Sequence, residues 1–243
     1  MGASNRIPDE YIVGDISSNA LIAEIGKAAA HSAIKHLKWA SDGRRLVPSQ
    51  EGLRVGDIIL SRPSENKWQA SEIEATQREY GCNEECSRWT HAMLYVGQLH
   101  VAESNKPYSV KTGVAIFPLT AYTDQCEFMV LRYKNSEFSD GRRQNIARYA
   151  LLSPNIDPRR YDWQTAVNAW RRKLRKAPKH IKAINCSEFV LECFAIGGPY
   201  LIEDYIELMA DQDTFYFPAH FAGSAHFEQI PMNYYNYVPS IAK

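Results

Sequence analysis

Asn185, Cys186 and Ser187 stand directly before an apolar run that closes at Gly197 and Gly198, so the cysteine opens a short helix predicted over residues 187–196. At that position unpaired backbone N–H groups and the helix dipole favour an anion. A thiol there, paired with an imidazole, falls from roughly 8.5 into the range of about 3.5 to 7.5 and becomes a ready nucleophile. Cys193, two turns further along among Phe189, Val190 and Phe194, reads as an inert core thiol.

A thiolate that attacks a carbonyl needs a partner able to take and return a proton near neutral pH, and imidazole does both. Seven histidines compete for that role. His31 and His36 fall on an N-terminal helix, His220 and His226 in a late loop-like segment, and His180 in a run of cations that disfavours its charged form. His91 and His100 remain, both in strand-like sequence. A three-residue connection Val96, Gly97, Gln98 pairs Tyr95 with Leu99, Met93 with Val101 and His91 with Glu103, setting base and carboxylate side by side. A two-residue turn shifts the pairing by one and separates them to opposite faces. His100 lies on the opposite sheet face from Glu103 in either register. Glu103 would then fix the imidazole tautomer, as the third member of a triad does.

The elements that must position these groups read as strands first and helices after, an α+β arrangement. Residues 55–60, 91–96, 99–103, 113–117 and 127–133 have strand character and make a small, mostly antiparallel sheet. Residues 142–152 and 162–176 read as helices. A helical extension is expected over residues 18–39 and linker-like sequence over 42–52, with residues 1–45 assigned to extension and linker and the main domain running from 46 to 243. An insertion over residues 62–90, with a helix at 69–80 and both Cys82 and Cys86, leads straight into His91.

The segments Val55-Gly56-Asp57-Ile58-Ile59-Leu60, Thr90-His91-Ala92-Met93-Leu94-Tyr95-Val96-Gly97, Val101-Ala102-Glu103 and Asn185-Cys186-Ser187-Glu188-Phe189-Val190 resemble the circularly permuted NlpC-like, papain-like cysteine hydrolases. That group includes the YiiX, YebB and YaeF-like proteins and the lecithin:retinol acyltransferase-like enzymes. Its histidine strand comes first and its Asn-Cys helix last, the order found in this chain. Tyr216-Phe217-Pro218-Ala219 and Phe221-Ala222-Gly223-Ser224 resemble the closing segment, so the likeness spans roughly residues 50 to 232. The resemblance implies a permuted papain-like fold, a small antiparallel sheet or half-barrel packed on helices. It implies Cys186 as nucleophile, His91 as base and Glu103 as the third polar residue. Ser187, Asn185, Tyr95 and Tyr161 are candidates for the oxyanion site or the cleft, with core packing the blander role for the two tyrosines. The insertion and the N-terminal helix depart from the pattern.

The expected activity is hydrolysis of an amide, peptide or isopeptide, or of an acyl bond, through a Cys186 acyl-enzyme with no cofactor. The alternatives are a lipid acyl hydrolase or acyltransferase of the same fold, and a non-catalytic binding module. Cys82, Cys86 and His91 have no fourth ligand nearby and no usual zinc spacing. Asp57, next to Gly56, caps a turn into its strand. Formal net charge is zero over 243 residues, so no global field draws the chain to nucleic acid or an anionic membrane. The local exception is Arg171, Arg172, Lys173, Arg175, Lys176, Lys179 and Lys182, a solvated face or a seat for an anionic partner. With no apolar run behind a basic start and no stretch of about 18 apolar residues, the expectation is a cytoplasmic chain without a membrane span. Five scattered cysteines fit free thiols.

Overall fold

The computed structural model describes residues 45–64, 68–105, 114–122, 126–134, 138–156, 160–161, 183–197 and 216–237. The expected N-terminal helix, the helix at 162–176 and the cationic run at 171–182 lie outside the described residues.

Six strands form one antiparallel sheet: β2 (Ile58–Pro63), β3 (His91–Gly97), β4 (His100–Ser104), β5 (Val114–Pro118), β6 (Cys126–Tyr133) and β9 (Phe227–Ile230), in the order β5-β4-β3-β2-β6-β9. Three two-residue-period patterns at its centre explain the two-sided burial. Ile58, Leu60, Ala92, Leu94, Val96 and Ala102 face one way, and Ile59, Met93, Tyr95 and Val101 the other. The first face carries helices α3 (Asp140–Ile156) and α4 (Cys186–Gly197), which deliver Ile146, Ala147, Ala150 and Leu151, and Phe189, Val190, Cys193 and Phe194. Cys193 is fully buried there. The second face is closed by Phe117, Leu119 and Val130, with Tyr122, Phe128 and Ile230 packed against them. The fold is α+β.

The linker expected at 42–52 is partly a strand. β1 (Arg45–Pro48) pairs antiparallel with β10 (Tyr234–Tyr237), near the other end of the chain, and Ser49 N–H donates to the Asn233 carbonyl at 2.7 Å. Nothing local announces such a pairing, because its partner is almost 190 residues away. β7 (Arg160–Tyr161) and β8 (Ala183–Ile184) form a short parallel pair leading into α4. The segment holding His220, expected as a loop, is the helix α5 (Pro218–Gly223), begun by proline at its first turn. Among the described residues no helix is long and apolar enough to cross a membrane.

The insertion is docked rather than free. Its helix α1 (Trp68–Glu79) precedes the short α2 (Glu84–Ser87), and the fully buried Gln77 ties the two to the body. Gln77 Nε2 donates to the carbonyls of Ser87 (2.7 Å) and Trp89 (3.0 Å), and its Oε1 accepts from Ala219 N–H of α5 at 3.0 Å. The backbone two residues before His91 is thereby clamped. Asp57 is also fully buried: it accepts from Arg54 N–H in the turn before β2, and it holds Arg132 through both carboxylate oxygens, at 2.9 and 2.6 Å. Its job is to join that turn to β6.

Candidate active site

The β3–β4 hairpin departs from the expected three-residue connection. Gly97 pairs with His100 across a two-residue turn, Gln98 and Leu99, whose φ of 48° and 56° are what a primed type I turn requires of both central residues. Beyond it Tyr95 pairs with Val101 and Leu94 with Ala102, so the register shifts at Val96, a β-bulge on β3. The extra residue restores the parity that a two-residue turn alone would have broken. Counted onward, Met93 stands opposite Glu103 and His91 one side-chain repeat further along the same face. The two therefore meet diagonally, within reach of long side chains. Tyr95 Oη accepts from Leu99 N–H at 3.3 Å and steadies this turn.

The contact so produced is short. His91 Nε2 lies 2.6 Å from Glu103 Oε2, with the imidazole 16% exposed and the carboxylate fully buried. The other carboxylate oxygen accepts from the Tyr122 hydroxyl and, at 3.3 Å, from Asn105 Nδ2. Glu103 Oε2 takes Nε2, which leaves Nδ1 as the nitrogen available to a thiol.

That thiol is Cys186, the first residue of α4 and 6% exposed. Alternation puts His91 on the side of Met93 and Tyr95, whereas α4 packs against the side of Ala92 and Leu94. The helix N-terminus arrives at the beginning of β3, where one sulfur can reach both the imidazole and the backbone of Ala92. Burial pushes the Cys186 thiol up, but the His91 charge, its hydrogen bond, the Ala92 N–H and the Ser187 hydroxyl together bring it below its ordinary value. Ser187 Oγ is 3.9 Å from the sulfur. His91 moves the opposite way. Burial disfavours its charge, yet the Cys186 thiolate and the Glu103 carboxylate raise it to about 10. The arrangement is a lowered thiol beside a raised imidazole, with Glu103 on the imidazole's other nitrogen.

Local sequence explains how α4 begins where it does. Asn185 Oδ1 accepts from Glu188 N–H at 2.8 Å, and Glu188 Oε2 accepts from Asn185 N–H at 3.2 Å, a reciprocal capping box. Asn185, a candidate for the oxyanion site, spends its side-chain oxygen on the helix cap. Ser187 is fully buried beside the sulfur. Tyr95, a candidate for the cleft, belongs instead to the core on the second face, where burial pushes its hydroxyl up. Tyr161 contributes backbone to β7, and its side chain lies outside the described residues. Tyr122 and Asn105 were missed. Their signal was faint, since Tyr122 ends a 3-10 turn (Leu119–Tyr122) brought to the hairpin by Leu119 N–H donating to the Leu99 carbonyl at 2.7 Å.

A second thiol–imidazole contact gives a useful contrast. Cys82 Sγ is 3.7 Å from His220 Nε2, and His220 Nδ1 accepts from Phe217 N–H at 2.9 Å, which assigns the proton to Nε2. Burial lowers His220, and burial together with Cys86 raises Cys82, so both stay neutral. Cys82 and Cys86 pack against Phe217 and Ala219 and dock the insertion on α5. Among the described residues no group of three or more His, Cys, Asp or Glu is arranged to hold a metal ion.

No family model and no curated protein sequence matches this chain.

Proposed function

We infer that the chain is a thiol hydrolase of the permuted papain-like kind, with Cys186 as nucleophile, His91 as general base and acid, and Glu103 holding the imidazole. One observation carries the reading: a single carboxylate–imidazole–thiol chain in which the thiol is lowered and the imidazole raised to about 10. The chain order, histidine strand before Asn-Cys helix, adds the family resemblance.

In the proposed reaction the Cys186 thiolate adds to a carbonyl carbon, and the resulting oxyanion is met by backbone N–H groups at the start of α4. The tetrahedral adduct collapses, the C–N or C–O bond breaks, and the His91 proton goes to the leaving group. Water, giving its proton to His91, then attacks the thioester and releases the acid and the thiolate. An amide is favoured over a lipid ester because an amine leaves only when protonated, and His91 is held protonated at neutral pH.

The test is a turnover screen over peptidoglycan fragments, isopeptide-linked peptides and phospholipids, with Cys186→Ala run beside the native chain. Release that requires Cys186 is expected from an amide substrate. Turnover of phospholipid alone would move the reading to the acyl hydrolases, and binding without turnover of any substrate would favour the non-catalytic module.

A further inference from the structure

The carboxylate that orients His91 is itself held from its far side. Glu103 is fully buried, and its Oε1, the oxygen turned away from the imidazole, accepts from the Tyr122 hydroxyl, with Asn105 Nδ2 further off at 3.3 Å. Tyr122 reaches it from a separate element. The 3-10 turn that carries it is anchored to the tip of the β3–β4 hairpin by the Leu119–Leu99 hydrogen bond and packs on the second core with Leu119. A buried carboxylate without donors is costly, and each donor favours its ionised form.

Resting on the thiol-hydrolase reading above, we propose that Tyr122 is a positioning residue of the catalytic chain, which holds Glu103 aimed at His91 Nε2 so that the His91 imidazolium and Cys186 thiolate persist into mildly acidic solution. Among the described residues the titratable groups bonded to Glu103 are His91 from β3 and Tyr122 from the turn; Asn105 at the end of β4 is neutral, and Cys186 from α4 acts on the other side of the imidazole. The effect passes through the carboxylate, to which the hydroxyl donates.

The experiment follows the rate of Cys186 alkylation by iodoacetamide against pH in the native chain, Tyr122→Phe and Tyr149→Phe. Tyr149 supplies the control, because its hydroxyl donates to the buried Glu192 carboxylate of α4, away from His91. In Tyr122→Phe the acid limb of the profile moves up by about one pH unit, the carboxylate having lost the donor that aims it at the imidazole. In Tyr149→Phe it stays in place. Replacing Tyr122 by a ring-fluorinated tyrosine, a stronger donor of the same shape, moves the limb down, and this arm serves if the phenylalanine variant does not fold. A Tyr122→Phe or fluorotyrosine profile that superimposes on a native profile with a clear low-pH plateau overturns the Tyr122 assignment alone. A native profile with no such plateau overturns the hydrolase reading and this one with it.

Discussion

Glu103 grips His91 Nε2 at 2.6 Å from a diagonal position across the β3–β4 ladder, and the bulge at Val96 is what makes that diagonal possible. Removing the charge while keeping the shape tests the carboxylate directly. Glu103→Gln still offers an amide oxygen to Nε2 but cannot balance the imidazolium, so turnover falls by about ten- to a thousandfold. His91 then titrates lower, which a proton NMR titration of its ring reads.

Nucleophile and base act as a unit, so Cys186→Ala and His91→Ala each abolish turnover. Cys193→Ala leaves it intact, because that thiol is core packing on α4, and costs about 1 kcal/mol of stability in a denaturant melt. Loss of activity in Cys193→Ala with retention in Cys186→Ala would require the nucleophile to be reassigned.

The acid–base pair also sets a stability window. His91 in the folded chain is raised to about 10, above its ordinary value near 6.5, so its contribution is complete below about pH 6.5 and is lost as pH rises toward 10. Thermal melts of the native chain should therefore lose, between about pH 7 and 10, an increment that His91→Ala does not show. Equal slopes in the two chains would remove the raised imidazole from the account.

Gln77 is the joint between the insertion and the catalytic strand. Gln77→Leu leaves the Ser87 and Trp89 carbonyls and the Ala219 N–H without their partner, at a cost of about 2 kcal/mol or more in stability. The backbone leading into His91 loosens with it. Turnover should fall more than alkylation of Cys186 does, since the thiolate survives while the base is less well aimed. A variant with native turnover would make the insertion a mere attachment to α5.

How much of this was legible differs from residue to residue. Cys186 at a helix start and the β3–β4 hairpin follow from local signals, a capping residue before an apolar run and a glycine between two apolar strands. The pairing of His91 with Glu103 depends on register, and the expected one was wrong by a turn length and a bulge whose errors cancel in parity. A bulge at Val96 has no signature in the residues around it. The β1–β10 pair and the approach of Tyr122 to Glu103 join segments far apart in sequence, so no local pattern encodes them. Asn185 carries a second local signal, for its spacing to Glu188 is that of a capping box.

The proposed function rests on a Cys186 thiol that its imidazole brings below the ordinary thiol value. The most direct measurement is site-resolved alkylation, in which iodoacetamide labelling of Cys82, Cys86, Cys126, Cys186 and Cys193 is followed by mass spectrometry from about pH 5 to 9. For Cys186 a plateau across mildly acidic and neutral pH is expected. Cys82, beside a neutral His220, should stay slow there and rise about tenfold per pH unit, as an ordinary thiol does. A Cys186 rate that climbs with pH as Cys82 does, or that appears only in denaturant, would contradict the thiolate–imidazolium pair on which the proposed function rests.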